Sequence, residues 1–295
     1  FGEWNKDEAG NPLPYLDRYE IRIVKDVNAA LAEFLAGNID IFNPSTVDHI
    51  SQIRQAVQQG RLDATIKVNA SPVASSQFMV FNWNKASDPF KQSLFRSDKF
   101  RRAMSHLVNR QAVIDIVYGG LGTPMYSSVY PVLTQWINPK VPKYEYDPKQ
   151  AAKLLAELGF TKKDREGYLV DSKGRRIEFN LATNAGNTQR EQIAKLIVDE
   201  AKKVGVKVNF QAIDFNTLVG QLLSSGPDRP FDAIIIGLTG GGLDWPFGSN
   251  VVPCKGNLHM WNKSGQCLDP RETLMEKLYY QGRTELDFKK RVEIG

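Results

Sequence analysis

The groups in this chain with most chemical potential are three histidines, two cysteines and one glycine-rich loop. His49, His106 and His259 stand at unrelated positions. His106 sits beside Leu107 on an amphipathic pattern, which favours a structural role over catalysis. No G-x-S-x-G elbow, H-E-x-x-H pair, Walker loop or G-x-G-x-x-G fingerprint occurs, so no cofactor is expected. Gly240-Gly241-Gly242 follows a strand-like run, but no helix opening on Lys and Ser or Thr comes next, which argues against a phosphate cradle. An enzyme has no residue to stand on here.

Cys254 and Cys267 are the only cysteines, and the stretch around them is rich in Gly, Asn and Ser. The pair suggests one disulfide and an oxidising compartment. Free thiols are the alternative. A zinc site using the intervening His259 lacks the C-x-x-C spacing of structural zinc. What the chain does supply is aromatic and amide side chains in loops: Asn82, Trp83, Tyr126, Trp136, Trp245 and Trp261. Large aromatics with one polar handle suit peptide and sugar recognition; the plainer reading is that each fills a gap in the core. Trp245, beside Asp244 and the glycines, has the most site-like setting.

Elements must position that loop, and Arg176 to Pro246 reads as strand, helix, strand, helix, strand. Ile177, Phe179 and Leu181 alternate with polar residues, the period of a half-buried strand. Asn184, Gly186 and Asn187 make a turn, and Thr188 with Glu191 gives a capping box. Ile193, Leu196, Ile197, Ala201 and Val204 line one face of the helix that follows. Val206, Val208 and Phe210 alternate again, a short helix carries Leu218, Val219, Leu222 and Leu223, and 231–238 reads as a buried strand. Such alternation predicts crossover connections and a largely parallel sheet. Ligands sit beyond the carboxyl ends of such strands, where the loop 239–245 lies.

Upstream, Tyr19, Ile21 and Ile23 alternate as a strand, Asp26 or Asn28 can cap a helix bearing Leu31, Phe34 and Leu35, and Ile39-Asp40-Ile41 begins another strand. A helix over 47–58 and a strand near 65–68 follow. This β-α-β unit is too small to bury both faces of a sheet alone. Residues 77–84 form an apolar strand. Ser97 caps a helix with Phe100, Ala103, Met104 and Leu107 on one face, and Val113, Ile116 and Val117 resume after Asn109-Arg110. A long loop, 122–146, carries Tyr126, Tyr130 and Trp136, and three large aromatics argue against disorder there. Asp147-Pro148 with Gln150 starts a helix with Leu154, Leu155 and Leu158 buried. Residues 168–170 and 177–181 read as a hairpin, and a last helix lies near 270–280.

Composition narrows the class. At 295 residues, 42% hydrophobic and 24% charged, the chain can build a substantial core of one or two domains. The net charge of +5 is spread along it, and Arg101-Arg102 and Lys202-Lys203 lie on helices whose other faces are apolar. These are solvated faces, and nucleic acid is not an expected partner. No apolar run approaches the ~18–20 residues of a membrane span. The chain opens on Phe1 and reads as a piece of a longer precursor, so the missing signal segment says nothing of compartment.

Four segments together resemble the extracytoplasmic solute-binding proteins that feed ABC importers of peptides, nickel and related ligands (family 5). They are 11–17 (NPLPYLD) with the strand, helix and 36–40 (AGNID) that follow; 95–115 (FRSDKFRRAMSHLVNRQAVID); 146–160 (YDPKQAAKLLAELGF); and 190–245. The resemblance spans nearly the whole chain in the right order. It implies a two-lobed α/β clamp with mixed sheets flanked by helices, a monomer, no catalysis, an oligopeptide or oligosaccharide ligand, and permease subunits as membrane partners. It implies that 1–75 is an incomplete first lobe, 76–84 a strand crossing between lobes, and 85–295 most of the second lobe without its return segment. It places the protein in the periplasm or, lipid-anchored, at the outer face of the cell membrane. The ligand-facing residues it suggests are Gly240, Gly241, Asp244, Trp245, Asn82, Trp83, Tyr126 and Trp136. Peptide binders of the family carry an aspartate for the ligand's amino terminus where this chain aligns Gly241, with Asp244 three residues on.

Overall fold

A computed structural model describes residues 5–44, 46–67, 75–239, 245 and 250–295. Along the chain run α1 (Val27–Leu35), α2 (Val47–Gln58), β1 (Ser76–Phe81), α3 (Pro89–Arg96), α4 (Asp98–His106) and α5 (Arg110–Tyr118). A 3-10 turn (Thr134–Trp136) precedes α6 (Pro148–Glu157), β2 (Lys162–Lys163), β3 (Leu169–Val170) and β4 (Glu178–Asn184). Then come α7 (Thr188–Val204), β5 (Lys207–Ile213), α8 (Phe215–Leu223), β6 (Ala233–Leu238), α9 (Pro270–Thr284) and α10 (Phe288–Ile294).

The central sheet has the order β1-β6-β4-β5. β4 runs parallel to both β5 and β6, and β1 joins β6 antiparallel with Ser76 opposite Leu238. The 231–238 run is apolar without alternation because both faces of β6 are covered. Ala233 and Ile235 enter the larger core with helices α3, α4, α6 and α7; Ile234 and Ile236 enter a second core with α8 and Met260. Phe81, Phe95, Phe100 and Phe179 fill the larger core with ring centroids 5.2–6.2 Å apart. Each such ring contributes about 1.5–3 kcal/mol by leaving water, and this cluster fixes β1 and β4 against α3 and α4.

The helix starts follow their caps. Asp147 accepts from Gln150 N with Pro148 in the first turn, and Ser97 accepts from Phe100 N. Asp26, not Asn28, caps α1. The cap of α7 falls one residue before Thr188: Asn187 accepts from Arg190 N, while Glu191 reaches back to Gly186 N. β3 pairs with β2, and the expected hairpin with the segment near 177 is short: the Val170–Arg176 bridge, with Ile177 N donating to the Leu169 carbonyl and Asp171 N to the Arg175 carbonyl.

The amino-terminal unit departs most from expectation. α1 and α2 pack through Leu31, Phe34 and Ile53, but 19–23, 39–41 and 65–67 form no strands; Val68 lies outside the described residues. Alternation specifies which face a strand would bury, but a ladder needs a partner. Among the described residues these segments have none, and Ile21 and Ile23 are 76% and 88% exposed.

Candidate functional site

β4, β5 and β6 end together at Asn184, Ile213 and Leu238, with Ser76 of β1 alongside. This edge is framed from three directions. The loop after β4 meets the amino-terminal unit, where a methyl group on Gly186 would stand 3.4 Å from the Lys25 carbonyl oxygen. Lys25 also reaches Asp214, at the head of α8, at 3.6 Å. The Val47 side chain, at the start of α2, lies against Gly119 at the end of α5. From the long loop, the Tyr130 hydroxyl donates to the Leu238 carbonyl at 3.3 Å.

At the centre of the edge is Arg190, in the first turn of α7. Its Nε donates to Gln77 Oε1 at 2.9 Å and its Nη1 to Asn184 Oδ1 at 2.8 Å. Both acceptors are neutral, and no carboxylate pairs with it among the described residues. Burial pulls its basicity down, and Tyr118 acts in the opposite direction. The Tyr118 hydroxyl is enclosed without a hydrogen-bond partner among the described residues, and burial raises its pKa. Gly237 makes room for the group: a Cβ there would lie 2.6 Å from Ser76 O, 2.7 Å from Gln77 Nε2 and 2.9 Å from Arg190 Nη2. Sequence reasoning passed over Arg190, Tyr118 and Gln77. One signal was available, since a glycine inside the run AIIIGL marks a close approach of backbone or side chain.

The aromatic candidates divide. Trp245 continues the loop from β6 and lies 6.3 Å from Trp136, ring to ring. Its indole rests on Gly282 of α9 and on Gly295, where any side chain would collide with it. Trp136 is buried and packs edge-on to Phe288 of α10 at 5.8 Å. Trp245 is therefore packed between Trp136 and the carboxyl-terminal helices, and Trp136 is no open stacking platform. Tyr126 lies beneath the Arg110 guanidinium at 4.9 Å, and Arg110 donates to the Met125 carbonyl. Gly240, Gly241 and Asp244 lie outside the described residues.

Asn82 and Trp83 lie in the non-strand segment just after β1, and both are buried inside the protein, where neither is open to a ligand. The Asn82 amide donates to the Arg229 and Phe231 carbonyls, and Trp83 fills the larger core. With Asn84 they anchor the end of β1 to a buried hub. Asn84 Oδ1 accepts from Lys263 N at 2.6 Å, and its amide donates to Asn262 Oδ1 at 3.2 Å. Below lies Glu272 of α9, only 4% exposed, accepting from His259 Nε2, Trp261 Nε1, Asn262 Nδ2 and the backbone of Leu268 and Asp269. Burial raises the Glu272 carboxyl, but these donors, His259 and Trp261 foremost, outweigh it and hold it below the usual range.

Cys254 and Cys267 are joined as a disulfide, which removes the free-thiol reading and takes both sulfurs from any zinc site. His259 is committed to Glu272 and to the Val251 carbonyl. His49 and His106 bond Asn28 Oδ1 and the Glu145 carbonyl. The three imidazoles thus serve three separate parts of the structure. Two open cavities, of about 510 and 230 Å³, flank α3 and α4, around Gln92 and Arg96 and around Arg101 and Arg271. Neither is at the strand ends.

Comparison with known proteins gives this geometry a context. The sequence model of the bacterial extracellular solute-binding proteins, family 5, middle part, matches residues 4–256. A Deinococcus radiodurans protein named "Probable ABC transporter-binding protein" is 52% identical, over all of this chain and 51% of its own length. The oligopeptide-binding protein AppA of Bacillus subtilis is 32% identical, over 80% of this chain and 41% of AppA. The AppA structure, in complex with a nonapeptide, superposes with a TM-score of 0.70 at 24% identity, covering 92% of this chain and 49% of that one. MelB of Agrobacterium fabrum C58, in complex with stachyose, gives 0.73 at 20% identity, covering 98% and 44%. At such identities the two structures speak for the fold. The chain spans about half the length of the curated relatives it matches.

Proposed function

The chain belongs to the bacterial extracellular solute-binding proteins of family 5, and from that premise we propose that it captures oligopeptides for an ABC importer. The family is one of binding proteins, not enzymes. Among the described residues no helix is long and apolar enough to cross a membrane.

On this reading 1–75 is part of one lobe, 76–84 crosses between lobes, and 85–295 is most of the other. The ligand lies at the carboxyl ends of β4 and β6, between the lobes. The observation that carries the reading is the meeting of two separately cored units at that edge, with Lys25 on Gly186 and Val47 on Gly119. The loop 240–245, with Gly240, Gly241, Asp244 and Trp245, forms one wall. Trp136 and Tyr126 shape the wall from behind. The protein works as a monomer outside the cytoplasm, in the periplasm or anchored at the outer face of the membrane, and hands its solute to permease subunits.

Trp245, half-buried where Trp136 is enclosed, favours a second reading, an oligosaccharide ligand stacked on its ring. Calorimetric titration with a mixture of di- to pentapeptides and, separately, with stachyose distinguishes them. Peptide heats with no stachyose heat are expected. Binding of stachyose alone would replace the peptide reading by the sugar one.

A further inference from the structure

We propose that opening the Cys254–Cys267 disulfide creates a metal site, in which both sulfurs and the Glu276 carboxylate take a thiophilic divalent ion such as zinc. The inference is independent of which solute the strand-end edge binds.

The two sulfurs and a Glu276 carboxylate oxygen all lie within 4.8 Å of one another. Glu276 stands on α9, and its Oε1 accepts from Cys254 N at 2.9 Å, which holds Oε2 at 3.6 Å from Cys267 Sγ. A disulfide sulfur has no hydrogen to donate, so this last contact is no hydrogen bond in the oxidised chain. It does match a zinc site. With Zn–S about 2.3 Å and Zn–O about 2.0–2.2 Å, the S···O edge of a tetrahedron is about 3.5–3.7 Å, and its S···S edge about 3.8 Å. Rotation of the two cysteine side chains opens that second edge between Cα atoms 5.3 Å apart. Residues 254–267 run through turns with no helix or strand, and Cys267 and Glu276 are half-buried, so solvent, reductant and ion have access. His259 and Glu272 also lie near the Cys254 sulfur, but they bond each other at 2.9 Å, which leaves the fourth position to water.

The redox step balances with a dithiol as reductant. It passes two electrons and two protons to the disulfide and itself closes to a disulfide. The ion then displaces both thiol protons to solvent and binds two thiolates and the carboxylate. Three anionic groups so close repel one another, and a dication reverses that; thiolates select zinc over magnesium or calcium. The bound ion would restore the link between 254 and 267 that reduction removes, and tie it to α9.

The test reduces the protein with dithiothreitol, desalts it under nitrogen and titrates it with Co2+, then Zn2+, beside the unreduced protein and Glu276→Gln. Circular dichroism verifies folding, and Glu276→Gln keeps an acceptor for Cys254 N. The reduced wild type is expected to show the thiolate-to-cobalt charge-transfer band and the strong visible absorption of tetrahedral cobalt, both bleached by Zn2+. The unreduced protein is expected to show neither. Glu276→Gln, once reduced, is expected to bind Zn2+ at least about tenfold more weakly, a loss that outer-shell changes alone already reach. At Zn2+ about a hundredfold above Kd, the Tm of the reduced wild type should rise by about 5–10 °C, and not with Mg2+. No charge-transfer band, a band in the unreduced protein, equal affinity in Glu276→Gln, or a band without a rise in Tm overturns the site.

Discussion

Replacing Glu272 by Ala is the perturbation whose consequence the structure specifies most fully. The carboxylate accepts from five groups, and His259, Asn262 and Glu272 itself are each 4% exposed or less. Deleting it strands those donors in the interior. Breaking a buried charged pair from one side costs about 3–5 kcal/mol. At about 2–4 °C per kcal/mol for a chain of this order, Tm should fall by about 10 °C or more. Glu272→Gln, which keeps the size and one acceptor oxygen, should fall between the two. The pH profile supplies an independent check. Because the folded carboxyl lies below its unfolded value of about 4.3, its stabilisation is present above that value and lost as pH falls through the folded pKa. Glu272→Gln should therefore flatten the acid limb of a Tm-against-pH curve. Urea and thermal melts between pH 3 and 7 (roughly the span over which carboxylates titrate) read both effects. An alanine variant within about 1 kcal/mol of wild type, less than one ordinary buried hydrogen bond and its orphan donor cost together, would refute the hub.

Other consequences are equally direct. Gly237→Val places branched carbon where even a Cβ meets Ser76 O at 2.6 Å; it should cost about 1–3 kcal/mol by overpacking, read by chemical denaturation. Gly282→Ala would bring a methyl to 1.7 Å from Trp245 Cζ3. It should push the indole outward and red-shift its emission while helicity holds, and an unchanged spectrum would show that Trp245 does not rest there. Cys254→Ser removes a crosslink between residues 13 apart and should cost about 3 kcal/mol, the loop-entropy value for a comparable loop. Thiol labelling of the wild type should be nil before reduction and complete at both sites after it.

Much of the second lobe was legible because its signals are local. Asp147-Pro148 starts α6, Val47 to Gln58 bounds α2, and the alternation from 176 onward gives β4, α7, β5, α8 and β6 in order. The failures share a physical cause. Tyr19, Ile21 and Ile23 alternate as well as any strand, but pairing is non-local and no partner reaches them among the described residues. Asn82 and Trp83 carry the residue types of a binding loop and the burial of a core, and composition cannot separate the two. Glu272, Asn262 and Asn84 form one hub across 188 residues of sequence, a number set only by the fold. Arg190 was hidden in an ordinary amphipathic helix. Only the glycine in β6 hinted that something approaches the strand end.

Solute binding at the strand-end edge is tested most directly by hydrogen exchange. On adding the di- to pentapeptide mixture, new protection should concentrate at Asn184–Arg190, at Gly237–Thr239 and around Trp245. Protection confined to the α3–α4 flank, around Arg96 and Arg271, would contradict it.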